Sequence, residues 1–323
     1  MAKRKEECKE AKDRRRKDPR MSNCPHFTSD FGPDLEPILI GPQRRQAFEN
    51  AYKMGTLLGK GGFGKVYAGE RTKDSFSVAT KVIKMEKITR WCKNGDQTVP
   101  LEICLLRKTS NIDGVIHLLD FYRMPDIFIL ILERPAGSKD LYDFINDYGC
   151  LNESLSRDFL NQILKTILAC HQRGIIHRDI KDKNLLVTLS QQSKPRIHLI
   201  DFGSGAHIQN ETYSDFAGTR VYAPPEWFQC GHYDGNQAAV WSIGILIYTM
   251  IYGNIPFKTN EEICTAKLKF QGNTSLECQD LIKCCLRRNP RKRILLDDIL
   301  CHPWMDELHY NSAKPSPEIK KLE

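Results

Sequence analysis

The hydrophobic pattern of this chain changes period at Pro135, and that change limits the architectures open to it. Upstream, residues 52–59, 64–70 and 76–84 read as short strands, with turn residues Gly61-Gly62 and Lys73-Asp74 between them. HLLDFY (117–122) and IFILIL (127–132) read the same way. The second is apolar throughout, which predicts burial on both faces. One helix fits among the strands, at 99–109, where Glu102 stands between Leu101, Ile103, Leu105 and Leu106. Downstream, Leu155, Phe159, Leu160, Ile163, Leu164, Ile167 and Leu168 recur along one face of a long amphipathic helix. Strands first and helices second predict an α+β chain of two lobes. Residues 51–134 form the small β-rich lobe and 135–308 the larger helical one, with a cleft between them.

The flanks read differently. Residues 1–50 are polar and broken by Pro19, Pro25, Pro33, Pro37 and Pro42. They offer little apolar surface against the entropy of ordering, which predicts a disordered basic tail. A second tail is expected at 309–323. The formal charge of +8 is concentrated in residues 1–20, so the folded part is nearly balanced and no nucleic-acid partner is expected. KRK (3–5) and RRRK (14–17) suit either a nuclear import signal or a solubilising tail, and the expected location is cytoplasmic with access to the nucleus. The uncharged stretch 238–257 is long enough for a membrane span, but Gly253, Asn254 and Pro256 interrupt it. It is expected to be a buried core helix, with no membrane contact. The 12 cysteines show no C-x-x-C or zinc spacing and are expected to be reduced thiols.

Several short motifs carry chemistry. LGKGGFGKV (58–66) presents Gly59, Gly61, Gly64 and Val66 as G-x-G-x-x-G-x-V. Such glycines let backbone N–H groups come close to phosphate oxygens. Because VYAGE continues as a strand, the loop reads as a lid over nucleotide phosphates and not as a dinucleotide site. Lys81 ends VATK (78–81) and could pair with phosphates while held by a helix glutamate such as Glu102. In HRDIKDKN (177–184), Asn184 follows Asp179 by five residues, and Asp201 opens DFG after an apolar strand. The oxygens of Asn184 and Asp201 are hard ligands of the kind Mg²⁺ prefers.

Taken in order, these motifs match the signature set of protein kinases. From about Tyr52 to Trp304 the sequence resembles a eukaryotic protein kinase, and within these the Pim family of serine/threonine kinases. LLGKGGFG, LILERP (130–135), HRDIKD, LIDFGSGA (199–206), GTRVYAPPEW (218–227) and AAVWSIGIL (238–246) carry the likeness. The resemblance implies the bilobal kinase fold and transfer of the γ-phosphate of ATP to protein Ser or Thr, with Mg²⁺. It implies that Asp179 accepts or orients the substrate hydroxyl proton, that Lys181 steadies the γ-phosphate, and that Lys81 with Glu102 fixes the α/β-phosphates. Asn184 and Asp201 would hold the metal. Leu58, Gly59, Lys60, Gly61, Gly62, Phe63, Gly64 and Val66 would cover the nucleotide. Ala79, Leu132, Glu133, Leu186 and Ile200 would complete its pocket.

The resemblance also implies that Thr219 contacts Asp179 and Lys181, and that Glu226 bridges structurally to Arg293. Asp215 would stand in for an activation-segment phosphate on Arg178, or is an ordinary loop carboxylate. Three positions depart from the general kinase pattern: Pro135 removes a hinge N–H, Ala239 replaces an aspartate, and Thr80 replaces an isoleucine. Family members prefer substrates with basic residues before the acceptor. Here Asp140, Asp143 and Asp182 keep acids, whereas Lys183, Thr249, Asn254 and Lys258 replace them, so a weakened basic preference is expected. The implied enzyme is a monomer, active without phosphorylation. The alternative is a pseudokinase that serves as an ATP-binding interaction module.

Overall fold

The structure, a computed structural model, describes residues 42–62, 64–95, 97–190 and 193–306. The basic clusters of the N-terminal tail, the tail from 309 onward and Phe63 lie outside the described residues.

The structure holds a helix that the sequence pattern does not suggest. Residues expected to belong to the disordered tail form helix α1 (Pro42–Ala51). Its sequence, PQRRQAFENA, is too polar to advertise a buried face. One aromatic anchors it: Phe48 is buried with Tyr52, Val78, Met124, Ile129 and Ile131 and meets the Tyr122 ring edge-on at 5.4 Å. Arg44 is buried as well and donates from Nη1 to the Arg123 carbonyl at 3.3 Å. Tertiary packing, more than local propensity, sustains so short a helix.

The first lobe is an antiparallel sheet of β1 (Tyr52–Lys60), β2 (Lys65–Arg71), β3 (Phe76–Lys84), β6 (Leu118–Arg123) and β7 (Ile127–Glu133), ordered β1-β2-β3-β7-β6. The apolar run on β7 is buried from Phe128 to Ile131, as its lack of alternation requires. A second hairpin, β4 (Trp91–Asn94) and β5 (Gln97–Pro100), precedes helix α2 (Leu101–Lys108). Asn94 and Gln97 are its last cross-strand pair, and Gly95, at the first position of the turn, takes φ 60°. Glycine at the first central position is one of the signatures of a two-residue hairpin turn.

The second lobe follows the hinge. It contains β8 (Lys139–Asp140), α3 (Leu141–Tyr148), α4 (Glu153–Gln172), β9 (Ile175–Ile176), β10 (Leu185–Ser190), β11 (Ser193–Leu199) and β12 (Ala206–His207). Helices α5 (Pro225–Cys230), α6 (Gly235–Tyr252), α7 (Asn260–Thr265) and α8 (Leu276–Cys285) complete it. The uncharged stretch is α6, a core helix with Trp241, Ile243, Ile245, Leu246 and Met250 fully covered. The Asp234 side chain caps its N-terminus by accepting from Gln237 N, and Gly253 ends it in a left-handed turn. No helix among the described residues is long and apolar enough to cross a membrane. Beside α6, Glu226 and Arg293 form a bidentate pair, with both N–O distances at 2.9 Å and the guanidinium buried. This is the structural bridge expected from the sequence.

One expectation is overturned. The cysteines are not all free thiols, because Cys92 on β4 and Cys104 on α2 are joined as a disulfide. They are 12 positions apart in the chain, and only the hairpin turn brings them together. The other eight described cysteines are free.

Candidate active site

The cleft is assembled from both lobes, beginning with the glycine loop. Gly59 pairs with Val66 between β1 and β2, and Gly61 N–H donates to the Gly64 carbonyl at 2.9 Å. The glycines differ in why they are needed. A Cβ on Gly64 would meet the Val82 carbonyl at 2.2 Å, so packing alone demands glycine there. At Gly59, Gly61 and Gly62 a Cβ would meet nothing within 4 Å, and none has positive φ. Their bare backbone is therefore unexplained by the protein's own packing and suits close approach by a phosphate group. Lys60 is exposed at the loop's edge.

The sheet supplies the roof. Val66 pairs with Lys81, and Ala79 with Leu132. Directly paired residues share a face, so one face of the sheet carries all four side chains. Leu58 is exposed, and Val66, Ala79, Leu132 and Glu133 are half-buried; so are Leu186 and Ile200 on the opposite lobe. At the hinge the Glu133 carboxylate lies 3.2 Å from His117, and Glu133 N–H donates to the His117 carbonyl.

Lys81 is the buried cation of the cleft. Its Nζ donates to Glu102 Oε1 at 2.6 Å and to Asp201 Oδ1 at 2.7 Å, spanning 21 and 120 positions of sequence. Burial alone would lower the Lys81 pKa, but the two carboxylates outweigh it and hold the ammonium above its ordinary range. Burial pushes the Glu102 carboxyl up, partly offset by Lys81. For Asp201 the balance falls the other way: burial raises it, Lys81 lowers it more, and the carboxylate stays ionised. Asp201 sits at φ 64°, with its carboxylate accepting from Gly203 N–H.

The catalytic loop lies beneath. Its Asp179 carboxylate is buried and bonded on both oxygens. Oδ1 accepts from Thr219 N–H at 2.8 Å, while Oδ2 accepts from Lys181 Nζ at 2.6 Å and Asn184 Nδ2 at 2.9 Å. Lys181 also reaches Thr219 Oγ1 at 2.6 Å. Asn184 Nδ2 donates to the Asp179 carbonyl as well, which leaves Asn184 Oδ1 as the atom suited to a cation. Pairing of Leu185 with Leu199, and of Ile200 N–H with the Asn184 carbonyl, sets Asn184 beside the strand end that delivers Asp201. The two hard oxygen donors thus fit a small divalent metal. Gly218 is needed for contact: a Cβ there would meet the Arg178 carbonyl at 2.6 Å.

Further residues fix these groups in place. Buried His177 is held neutral, because burial lowers its pKa below the ordinary value. Its Nε2–H donates to the Ile200 carbonyl at 2.9 Å, and Nδ1 accepts from Asp179 N–H at 3.3 Å. Arg178 takes φ 67° and donates to Asp215 Oδ1 at 2.9 Å and to Tyr233 Oη at 2.8 Å, lying over the Tyr213 ring. Arg90 donates from Nη2 to the Gly203 carbonyl at 2.9 Å. The adjoining HRD and DFG motifs were the available signals for His177 and Gly203. Nothing in the sequence marked Arg90 or Tyr233.

The positions expected to tune substrate choice do not form one open groove. Thr249 is buried inside α6, its hydroxyl donating to the Ile245 carbonyl at 2.9 Å, so it adds nothing to the surface. Asp182 is buried too and accepts from Lys183 N–H. Lys183 is exposed, with Nζ 4.3 Å above the Tyr142 ring centroid. Asn254, Lys258 and Asp143 are exposed, whereas half-buried Asp140 caps α3 by accepting from Asp143 N–H.

The protein kinase domain family matches residues 52–305, the span that carries every element of this cleft. The chain belongs to that family: it is a protein kinase. It is 41% identical to serine/threonine-protein kinase pim-2 of Danio rerio, over 88% of this chain and 94% of that one. Identity is also 41% to serine/threonine-protein kinase prk-2 of Caenorhabditis elegans, over 85% of this chain and 63% of that longer one. A more distant likeness is to the PAS domain-containing serine/threonine-protein kinase of Mus musculus, 32% identical over 80% of this chain but only 19% of that one. Within the protein kinases this chain is a member of the Pim serine/threonine family.

Proposed function

We propose that the kinase uses Asp179 to orient the substrate Ser or Thr hydroxyl and accept its proton, with Lys181 beside it steadying the transferred phosphoryl group. Lys81, held by Glu102, binds the α/β-phosphates, and the glycine loop closes over them. Asn184 and Asp201 would hold Mg²⁺, which supplies charge neutralisation at the transferring phosphate. The observation that carries this reading is the Asp179 carboxylate, bonded on both oxygens by Thr219, Lys181 and Asn184 within one buried cluster. Such fixed donors and acceptors need no rearrangement when charge develops.

The same reading makes the enzyme active without phosphorylation. The Arg178–Asp215 pair and the Tyr233 hydroxyl supply from the chain itself the anchor that many kinases take from a phosphorylated loop. Substrates would be proteins with some basic character before the acceptor, read by Asp143 and Asp140, with Lys183 and Lys258 weakening the preference. The protein would act as a monomer in the cytoplasm and nucleus. Transfer of labelled phosphate from ATP to a serine peptide tests the assignment. Transfer abolished by Asp179→Asn with nucleotide binding kept supports it. Nucleotide binding with no transfer by the wild type would make the chain a pseudokinase.

A further inference from the structure

The helix that carries Glu102 is fastened on its other side by sulfur. Cys104 follows Glu102 by two positions, and residues two apart on a helix face nearly opposite ways. Glu102 therefore points at Lys81, while Cys104 points at the β4–β5 hairpin and bonds to Cys92. The Cα atoms are 6.8 Å apart, within the span of a disulfide. Both cysteines are only half-buried, so small thiols and disulfides can reach them.

The surroundings connect this pair to the cleft. Helix α2 has eight residues, and Pro100 at its N-cap makes no side-chain cap. Apart from packing and sulfur, two hydrogen bonds tie it to the hairpin and the residue before it: Leu101 N–H to the Arg90 carbonyl at 3.0 Å, and Arg107 Nη1 to Asn94 Oδ1 at 3.0 Å. Arg90, just before the hairpin, also holds the Gly203 carbonyl beside Asp201. The sulfurs thus sit on a strip of chain that reaches both carboxylates bonded to Lys81.

We propose that Cys92 and Cys104 are a reversible thiol–disulfide site that sets how firmly α2 holds Glu102 against Lys81. The oxidant is a low-molecular-weight disulfide of the glutathione class. One cysteine thiolate attacks a sulfur of glutathione disulfide, forming a mixed disulfide and releasing glutathione thiolate. The second cysteine, as thiolate, displaces the remaining glutathione and closes the Cys92–Cys104 bond. Two thiol protons pass to the two glutathione thiolates, and the disulfide oxidant is reduced to two thiols. The closed bond links α2 covalently to the hairpin and removes conformations in which the helix turns Glu102 away. In the dithiol form the hydrogen bonds and packing alone resist that motion, so the population with Glu102 on Lys81 falls. Nucleotide affinity falls with it.

The test uses the full chain, equilibrated in glutathione buffers of graded poise and trapped with N-ethylmaleimide. Peptide mapping by mass spectrometry should show a Cys92–Cys104 linked pair rising with oxidation. On the same samples, the dissociation constant for ATP should tighten in step, by ~5-fold or more, the low end of ordinary coupling between sites. Cys92→Ser and Cys104→Ser should each bind ATP like the reduced wild type at every poise. Glu102→Gln, assayed for linkage and ATP affinity, should still form the disulfide but lose the redox dependence. Failure to form the pair in the most oxidising buffer would overturn the proposal. So would a pair that forms without changing affinity, or a redox response that persists in either serine variant.

Discussion

Asp179 and Glu102 are both buried carboxylates with a lysine at 2.6 Å, yet the chain secures them differently. Asp179 is held by its own loop and by Thr219 from the activation segment, and that loop rests on neutral His177. Below it α6 is capped at both ends and packed on nearly every side. Glu102 rides on an eight-residue helix without a side-chain cap, kept in place by the core packing of Ile103, Leu105 and Leu106, by Lys81, by two hydrogen bonds to Arg90 and Asn94, and by one disulfide. The two carboxylates thus rest on supports of different extent, one a cluster of loop and activation-segment groups and the other a single short helix. Asp179, the proposed proton acceptor, is bonded by Thr219, Lys181 and Asn184, whereas the proposed phosphate-binding lysine takes its glutamate partner from one short helix.

The largest effect should come from the Asp179 half. Asp179→Asn should lower kcat by ~10²–10⁴-fold, the usual worth of a general base, while the ATP dissociation constant stays near wild type. Steady-state kinetics with isothermal titration of ATP measure both, and Glu102→Gln should show the reverse weighting, with ATP affinity suffering most. Next is the frame of that half. Arg293→Met leaves Glu226 as a buried unpaired carboxylate and should cost ~3–5 kcal/mol in a denaturant titration. An unchanged stability would mean that water reaches Glu226.

On the sheet side the expected sign is opposite. Thr80 is fully buried, and its hydroxyl finds no partner among the described residues. Thr80→Val keeps the shape, removes the unpaired hydroxyl and should stabilise the fold by ~1 kcal/mol or more, read as a higher Tm. At the hinge joining the two halves, Pro135 lacks an N–H. Pro135→Ala should restore one hydrogen bond to adenine, worth ~0.5–1.5 kcal/mol, and lower KM for ATP a few-fold. The smallest effect concerns Lys183, which is exposed over Tyr142. Lys183→Glu should sharpen the preference for arginine-containing peptides by ~0.2–1 kcal/mol, measured as kcat/KM across an Arg→Ala peptide series. A wild type already steep in several arginines, and unchanged by the reversal, would make Lys183 a bystander.

The legible parts of the sequence were those whose period or spacing is dictated locally. The strand runs up to Glu133, the 3.6-period face of α4 and the glycine spacing at 59–64 each follow from backbone geometry over a few residues. The Lys81–Glu102 contact spans 21 positions and is expected because the motifs resemble a known family, whereas the Lys81–Asp201 contact, across 120 positions, is not expected from the sequence. What escaped notice depends on tertiary partners. Helix α1 rests on one buried aromatic, Thr249 turns inward on a largely buried helix, and the Cys92–Cys104 bond needs the hairpin that closes between Asn94 and Gln97. Gly95-Asp96 is the local sequence signal for that hairpin, and with it for the approach of the two cysteines.

In the proposed mechanism the chain assembles its phosphotransfer site with its own side chains, Arg178 meeting Asp215 where many kinases place a phosphate. The direct measurement is the initial rate of phosphate transfer to a serine peptide by protein shown by mass spectrometry to be unphosphorylated. Thr212, Tyr213, Ser214 and Thr219 must all be free of phosphate, and Asp215→Ala is run in parallel. The account predicts full wild-type activity from the first turnover, with no lag, and a clear loss in Asp215→Ala. Unphosphorylated wild type that stays inactive until a second kinase modifies the segment would contradict it.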